Sequence, residues 1–96
     1  MSTMALPPGA STGEDWSDPD ENGVCHRAVD WANHWSGDTV AGVTGLQYTT
    51  GQITPFISCA FTGRDGNERV IEISAEVAQQ IVGVLSSCLA DWPEPR

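Results

Sequence analysis

Alternation of apolar and polar positions is clearest over residues 53–62. Ile53, Ile57, Cys59 and Phe61 fall on one parity, and Thr54, Phe56, Ser58, Ala60 and Thr62 on the other. A period of two places successive side chains on opposite faces of a pleated strand. Pro55 has no N–H to give to a ladder, so it belongs near the strand start or on an open edge. Gly63-Arg64-Asp65-Gly66-Asn67 follows. Its Asp-Gly step supplies the positive φ that a tight hairpin loop requires. Residues 68–73 return as a strand, with Arg69, Ile71 and Ile73 alternating against Glu68, Val70 and Glu72. Upstream, residues 39–50 have strand composition in Thr39, Val40, Val43, Thr44, Leu46 and Tyr48, weakened by Gly42 and Gly45. Gly51-Gln52 then reads as a tight turn.

The period changes after residue 73. Ser74 is a good N-cap, and Glu76 lies in the first turn, where the helix dipole favours an acid. Val77, Ile81, Val84, Leu85, Cys88, Leu89 and Trp92 recur at spacings of three and four. That pattern predicts an amphipathic helix from about residue 75 to residue 92, ended by Pro93. Residues 24–37 fit two readings. Ala28, Trp31, Ala32 and Trp35 share one face of a helix that Gly37 would end, and an extended strand is the alternative. The predicted fold is α+β: a three-stranded antiparallel meander with the C-terminal helix packed on one face and a short Trp-bearing N-terminal element. One domain spans 24–92, with a C-terminal tail at 93–96.

Composition adds a tail at the other end. Residues 1–23 hold Pro7, Pro8, Pro19 and five acids, with little large apolar surface beyond Leu6 and Trp16. Such a segment does not offset its ordering entropy, so a disordered acidic tail is expected. Trp16 is the oddity there, either a docking anchor or a group that lies back on the domain. The whole chain carries thirteen acids against four arginines and no lysine, a formal net charge of −9. Binding to a nucleic-acid backbone or an anionic membrane needs clustered basic groups, and Arg27, Arg64, Arg69 and Arg96 are scattered. A basic protein partner is compatible with the charge. The N-terminal residues lack the basic and apolar regions of an export signal, and no run approaches the ~20 apolar residues of a membrane span. Cys25, Cys59 and Cys88 are an odd set at wide spacing. A cytoplasmic chain with free thiols is expected.

Candidate chemistry is sparse. On a helix, His26, Asp30 and His34 would fall at i, i+4 and i+8 on one face, a ligand set for zinc or ferrous iron. The competing reading makes them the solvated face opposite the tryptophans, since the spacing contains neither CxxC nor HExxH. Cys59 and Cys88 both point to the expected core, where a free thiol packs as a small hydrophobe. There is no Gly-x-Ser-x-Gly elbow, no lysine and no phosphate-cradling loop. No enzymatic activity and no cofactor is expected. One sheet face would be left open, carrying Phe56. Trp31 and Trp35 would cover it, or a second copy would, which makes Trp31, Trp35 and Phe56 candidate interface residues.

The order of elements, and the run Ile-Glu-Ile-Ser-Ala-Glu-Val-Ala-Gln-Gln-Ile-Val-Gly-Val-Leu at 71–85, resembles small proteins of high-GC Gram-positive bacteria and their phages. Those proteins end in a strand, a Ser or Asp cap and an Ala/Leu-rich helix. They have no assigned activity, so the resemblance implies a bacterial or phage setting and no function. The expectation is a non-enzymatic protein–protein interaction or regulatory module that self-associates, with a small metal-binding protein as the alternative.

Overall fold

A computed structural model describes residues 4–93. Five strands, β1 (Thr12–Gly13), β2 (His26–Ser36), β3 (Thr39–Tyr48), β4 (Ile53–Thr62) and β5 (Glu68–Ile73), precede one helix, α1 (Ala75–Ala90). The strands form a single antiparallel sheet in chain order, β1-β2-β3-β4-β5. The expected three-stranded meander is therefore wrong: the sheet has two further strands.

One of them is the Trp-bearing segment, which is extended rather than helical. A register shift between Asp30 and Ala32 inserts Trp31 as a bulge. The bulge moves the following residues to the opposite parity. A period of two with one insertion mimics the mixed three-and-four spacing of a helix face. Gly37, at φ +58, opens the two-residue loop Gly37-Asp38 that joins β2 to β3. A hairpin loop this short favours glycine at its first position when φ is positive there.

The other added strand lies in the segment expected to be disordered. From Ser11 onward this segment runs along β2 as a strap. Backbone N–H groups of Ser11, Glu14 and Ser17 donate to the carbonyls of Asp30, Ala28 and His26 at 2.7, 2.8 and 2.7 Å. Trp31 Nε1 donates to the Pro8 carbonyl at 3.0 Å. The three ladder bonds use the main chain, so acidic side chains remain in solvent while the backbone is satisfied.

Helix α1 starts where the sequence places it. The Ser74 hydroxyl accepts from the Val77 N–H at 3.2 Å, and Glu76 occupies the first turn. It does not lie across a sheet face, contrary to expectation. No residue of α1 is buried, and its one substantial contact with the sheet is to β4. The cause is the connector. Ser74 alone separates Ile73 from Ala75, whereas strand-to-helix loops that fold back usually take about 2–6 residues. The described chain is 62 Å long and 25 Å across, with a radius of gyration of 17.4 Å. A compact chain of this size would measure about 12–13 Å. A ten-residue strand and a sixteen-residue helix are roughly 33 and 24 Å long, so the long axis corresponds to the two laid nearly end to end.

Candidate interaction surfaces

Cross-strand register assigns the paired side chains of β2 to β5 to a face. The first face carries Arg27, Val29, Ala32 and His34 from β2, and Ala41, Val43, Gly45 and Gln47 from β3. It continues with Ile53, Pro55, Ile57, Cys59 and Phe61 from β4 and with Arg69, Ile71 and Ile73 from β5. No carboxylate stands among them. The second face carries His26, Ala28, Asp30, Leu46, Thr44, Phe56, Ala60, Glu72 and Val70.

One end of the first face has a roof. Residues 4–8 cross it above β2 and β3. Gln47 Nε2 donates to the Ala5 carbonyl at 2.8 Å, and Arg27 Nη2 donates to the Met4 carbonyl at 2.9 Å. Arg27 Nε donates to Gln47 Oε1 at 2.8 Å, and the guanidinium carbon lies 4.5 Å from the centre of the Trp16 ring. A Cβ built on Gly13 would meet both Leu6 Cδ2 and Val29 Cγ1, so Leu6 seats beside Val29. Val29 is fully buried and Gln47 is 3 % exposed. This corner is the best-packed place in the molecule, and sequence reasoning missed it. Its signals were Gln47, a polar residue on the same parity as Val43 and Gly45, and Trp16, whose reading as a group that lies back on the domain agrees with the Arg27 contact.

The rest of the first face is open. Val43, Ile57, Cys59, Phe61, Ile71 and Ile73 make one apolar stretch across β3, β4 and β5, with Val43 38 % and Ile71 37 % exposed. The C-terminal half of the helix stripe is barer still: Val84 is 60 %, Leu85 55 % and Leu89 72 % exposed, and Trp92, just past the helix end, is 64 % exposed. The second face holds a shallow concavity of about 370 Å³, lined by Ala28, Leu46, Thr44 and Phe56, with Asp30 and Glu72 at its margins.

The structure separates the residues of the suggested metal site. His26 and Asp30 lie on the second face of β2, about 13 Å apart along a strand. His34 lies beyond the Trp31 bulge on the first face, opposite Ala41. Among the described residues, no three His, Cys, Asp or Glu side chains gather in a way that could hold a metal ion. Of the suggested interface residues, Trp31 is half-buried and holds the strap, Phe56 is half-buried on the second face, and Trp35 is 70 % exposed at the end of β2. Cys59 is half-buried, Cys88 is exposed on α1, and neither is in a disulfide. Asp65, in the β4–β5 loop, is held below its ordinary pKa. The Asn67 N–H that it accepts at 3.0 Å contributes most, and Arg69, which donates at 2.6 Å, comes next.

No helix among the described residues is long and apolar enough to cross a membrane. No protein-family model matches the chain, and no curated protein or solved structure matches it.

Proposed function

We propose that this chain is a non-enzymatic protein–protein interaction module that works as a self-associated unit. One observation carries the reading. The described chain exposes 7388 Å², whereas a folded monomer of this mass would expose about 5,300 Å². Exposed large apolar side chains gather on the helix stripe and on the open stretch of the first face. Large contiguous apolar surface of this kind is a mark of an interface. The second face, with Asp30 and Glu72 beside Phe56 and a chain charge of −9, suits a basic protein partner of the assembled unit.

Light scattering during size exclusion tests the reading on the full chain at micromolar concentration and physiological salt. At about 0.15 M salt the Debye length is ~8 Å, so repulsion between two acidic chains is largely screened. A mass of twice 10.2 kDa is expected. A mass of a single chain across the micromolar range overturns the proposal.

A further inference from the structure

The self-association reading leaves open how two copies meet, and the structure carries that question further. We propose that two copies exchange their C-terminal helices. Helix α1 of each lies on the open stretch of the other's first face, over Val43, Ile57 and Ile71.

The argument begins at the connector. Ser74 has φ −73 and ψ 163, an extended conformation that carries the chain onward from β5. With no other residue between strand and helix, α1 meets its own sheet near Ala75, beside Val43 and Ile57, and does not lie back along β4 and β5. A helix barred from lying along its own sheet by a short hinge finds the equivalent site on a second copy, which is the geometry of domain swapping. The two surfaces also match in size. The ten residues of β4 span roughly 33 Å, enough for the ~24 Å of α1.

Area and charge choose among the possible arrangements. Leu85 and Leu89 on the stripe and Val43 and Ile71 on the face are all left exposed by a single chain. Pairing α1 only with another α1 would leave Val43, Ile57 and Ile71 wet. Seating it on the sheet covers both apolar surfaces in one contact. The first face is the receiving one because none of its strand residues is acidic and the neighbouring Asp65 is paired with Arg69, while the second carries Asp30, Glu68 and Glu72. An acidic chain whose helix bears Glu76 meets less repulsion there. Under a two-fold axis each copy gives one helix and receives one, so the contact closes on itself.

Complementation between two variants tests the exchange. Leu85→Asp spoils the stripe, and Ile71→Asp spoils the receiving face. Each alone is expected to run as a monomer by light scattering, with the circular dichroism of the parent. Mixed in equal amounts they should regain a dimer, because the intact helix of one meets the intact face of the other. A mixture that stays monomeric while the parent is dimeric overturns the exchange and leaves self-association standing. A monomeric parent overturns both. If Ile71→Asp fails to fold, a photo-reactive benzoylphenylalanine replacing Gln80, beside the stripe, gives the answer in its place. Irradiated with isotope-labelled parent chains, it should link to residues 41–43, 57–61 or 69–73 of the other copy. Links confined to residues 77–92 of the other copy, or to its own chain, overturn the proposal.

Discussion

Arg27→Met tests the packed corner at the base of the sheet. Methionine keeps the unbranched stem of arginine but removes every donor. The substitution deletes the bonds to Gln47 Oε1 at 2.8 Å and the Met4 carbonyl at 2.9 Å, and it takes the guanidinium off the Trp16 ring. A hydrogen bond from a charged donor contributes about 1.5–3 kcal/mol, and an acceptor left buried and unpaired costs about 1–3 kcal/mol. Gln47 is 3 % exposed, so its Oε1 would find little water in exchange. The ring contact adds about 0.5–1 kcal/mol. These contributions overlap, and a loss of about 2–4 kcal/mol is expected. Urea unfolding followed by circular dichroism, at one fixed protein concentration, would show it as a midpoint lowered by about 1–3 M. Gln47→Leu completes the test. If the two side chains satisfy each other, the double variant loses at least ~1 kcal/mol less than the two singles added together. A loss below ~0.5 kcal/mol for Arg27→Met, or strict additivity in the cycle, would refute the reasoning that this coupled polar pair holds the roof at Met4 and Ala5 to the sheet.

Three further outcomes are expected. Deleting residues 1–10 removes Leu6 and the carbonyls of Met4, Ala5 and Pro8 that accept from Arg27, Gln47 and Trp31; a calorimetric Tm should fall by about 8–16 °C, as a loss of ~2 kcal/mol gives in a domain this size, and an unchanged Tm would mean the roof contributes nothing. A Cβ at Gly45 would sit 2.6 Å from the Thr54 carbonyl oxygen and 2.9 Å from Pro55 Cα, both backbone, whereas one at Gly83 meets nothing within 4 Å. Gly45→Ala should therefore destabilise by about 1–3 kcal/mol while Gly83→Ala stabilises the helix by about 0.5–1 kcal/mol, and equal effects in urea unfolding would contradict the β3–β4 register. Because the folded-state pKa of Asp65 is lowered, its contribution is fully present above the ordinary carboxylate range and is lost as pH falls through the lowered value. The stability gap between the parent and Asp65→Asn should hold at neutral pH and close on acidification, and a gap that does not change with pH would exclude the ionised carboxylate as its source.

What the sequence made legible was local. The limits of β4 and β5 follow from a strict alternation and an Asp-Gly turn, and the start of α1 follows from Ser74 and Glu76. The strap was illegible because its ladder to β2 is built of backbone bonds, which acidic and proline-rich composition neither encodes nor forbids, and the side-chain bonds beside it, such as His26 N–H to Ser17 Oγ at 2.9 Å, leave no pattern in the sequence. β2 was ambiguous because the Trp31 bulge disguises a strand's period as a helix's. The placement of α1 was misjudged for a geometric reason. An amphipathic stripe says that a helix needs an apolar surface, but not whose surface. Only the length of the connector at Ser74 bears on that, and the apolar pattern does not register it. The His26, Asp30 and His34 grouping rested on the same helical reading of β2 and separates when that segment is extended.

The strap has a consequence for how the protein avoids uncontrolled growth. β2 is eleven residues long, and its outer edge would otherwise be a row of bare amide and carbonyl groups, a template for strand addition by any passing chain. The strap takes up part of that row through Ser11, Glu14 and Ser17. It also carries Pro19, which has no N–H to offer a further strand. At the opposite margin, β5 is only six residues long and carries Glu68, Arg69 and Glu72. Both margins of the sheet are thus blunted against amyloid-like stacking. A protease that trimmed the strap past Ser17 would leave the outer edge of β2 bare as a template for strand addition.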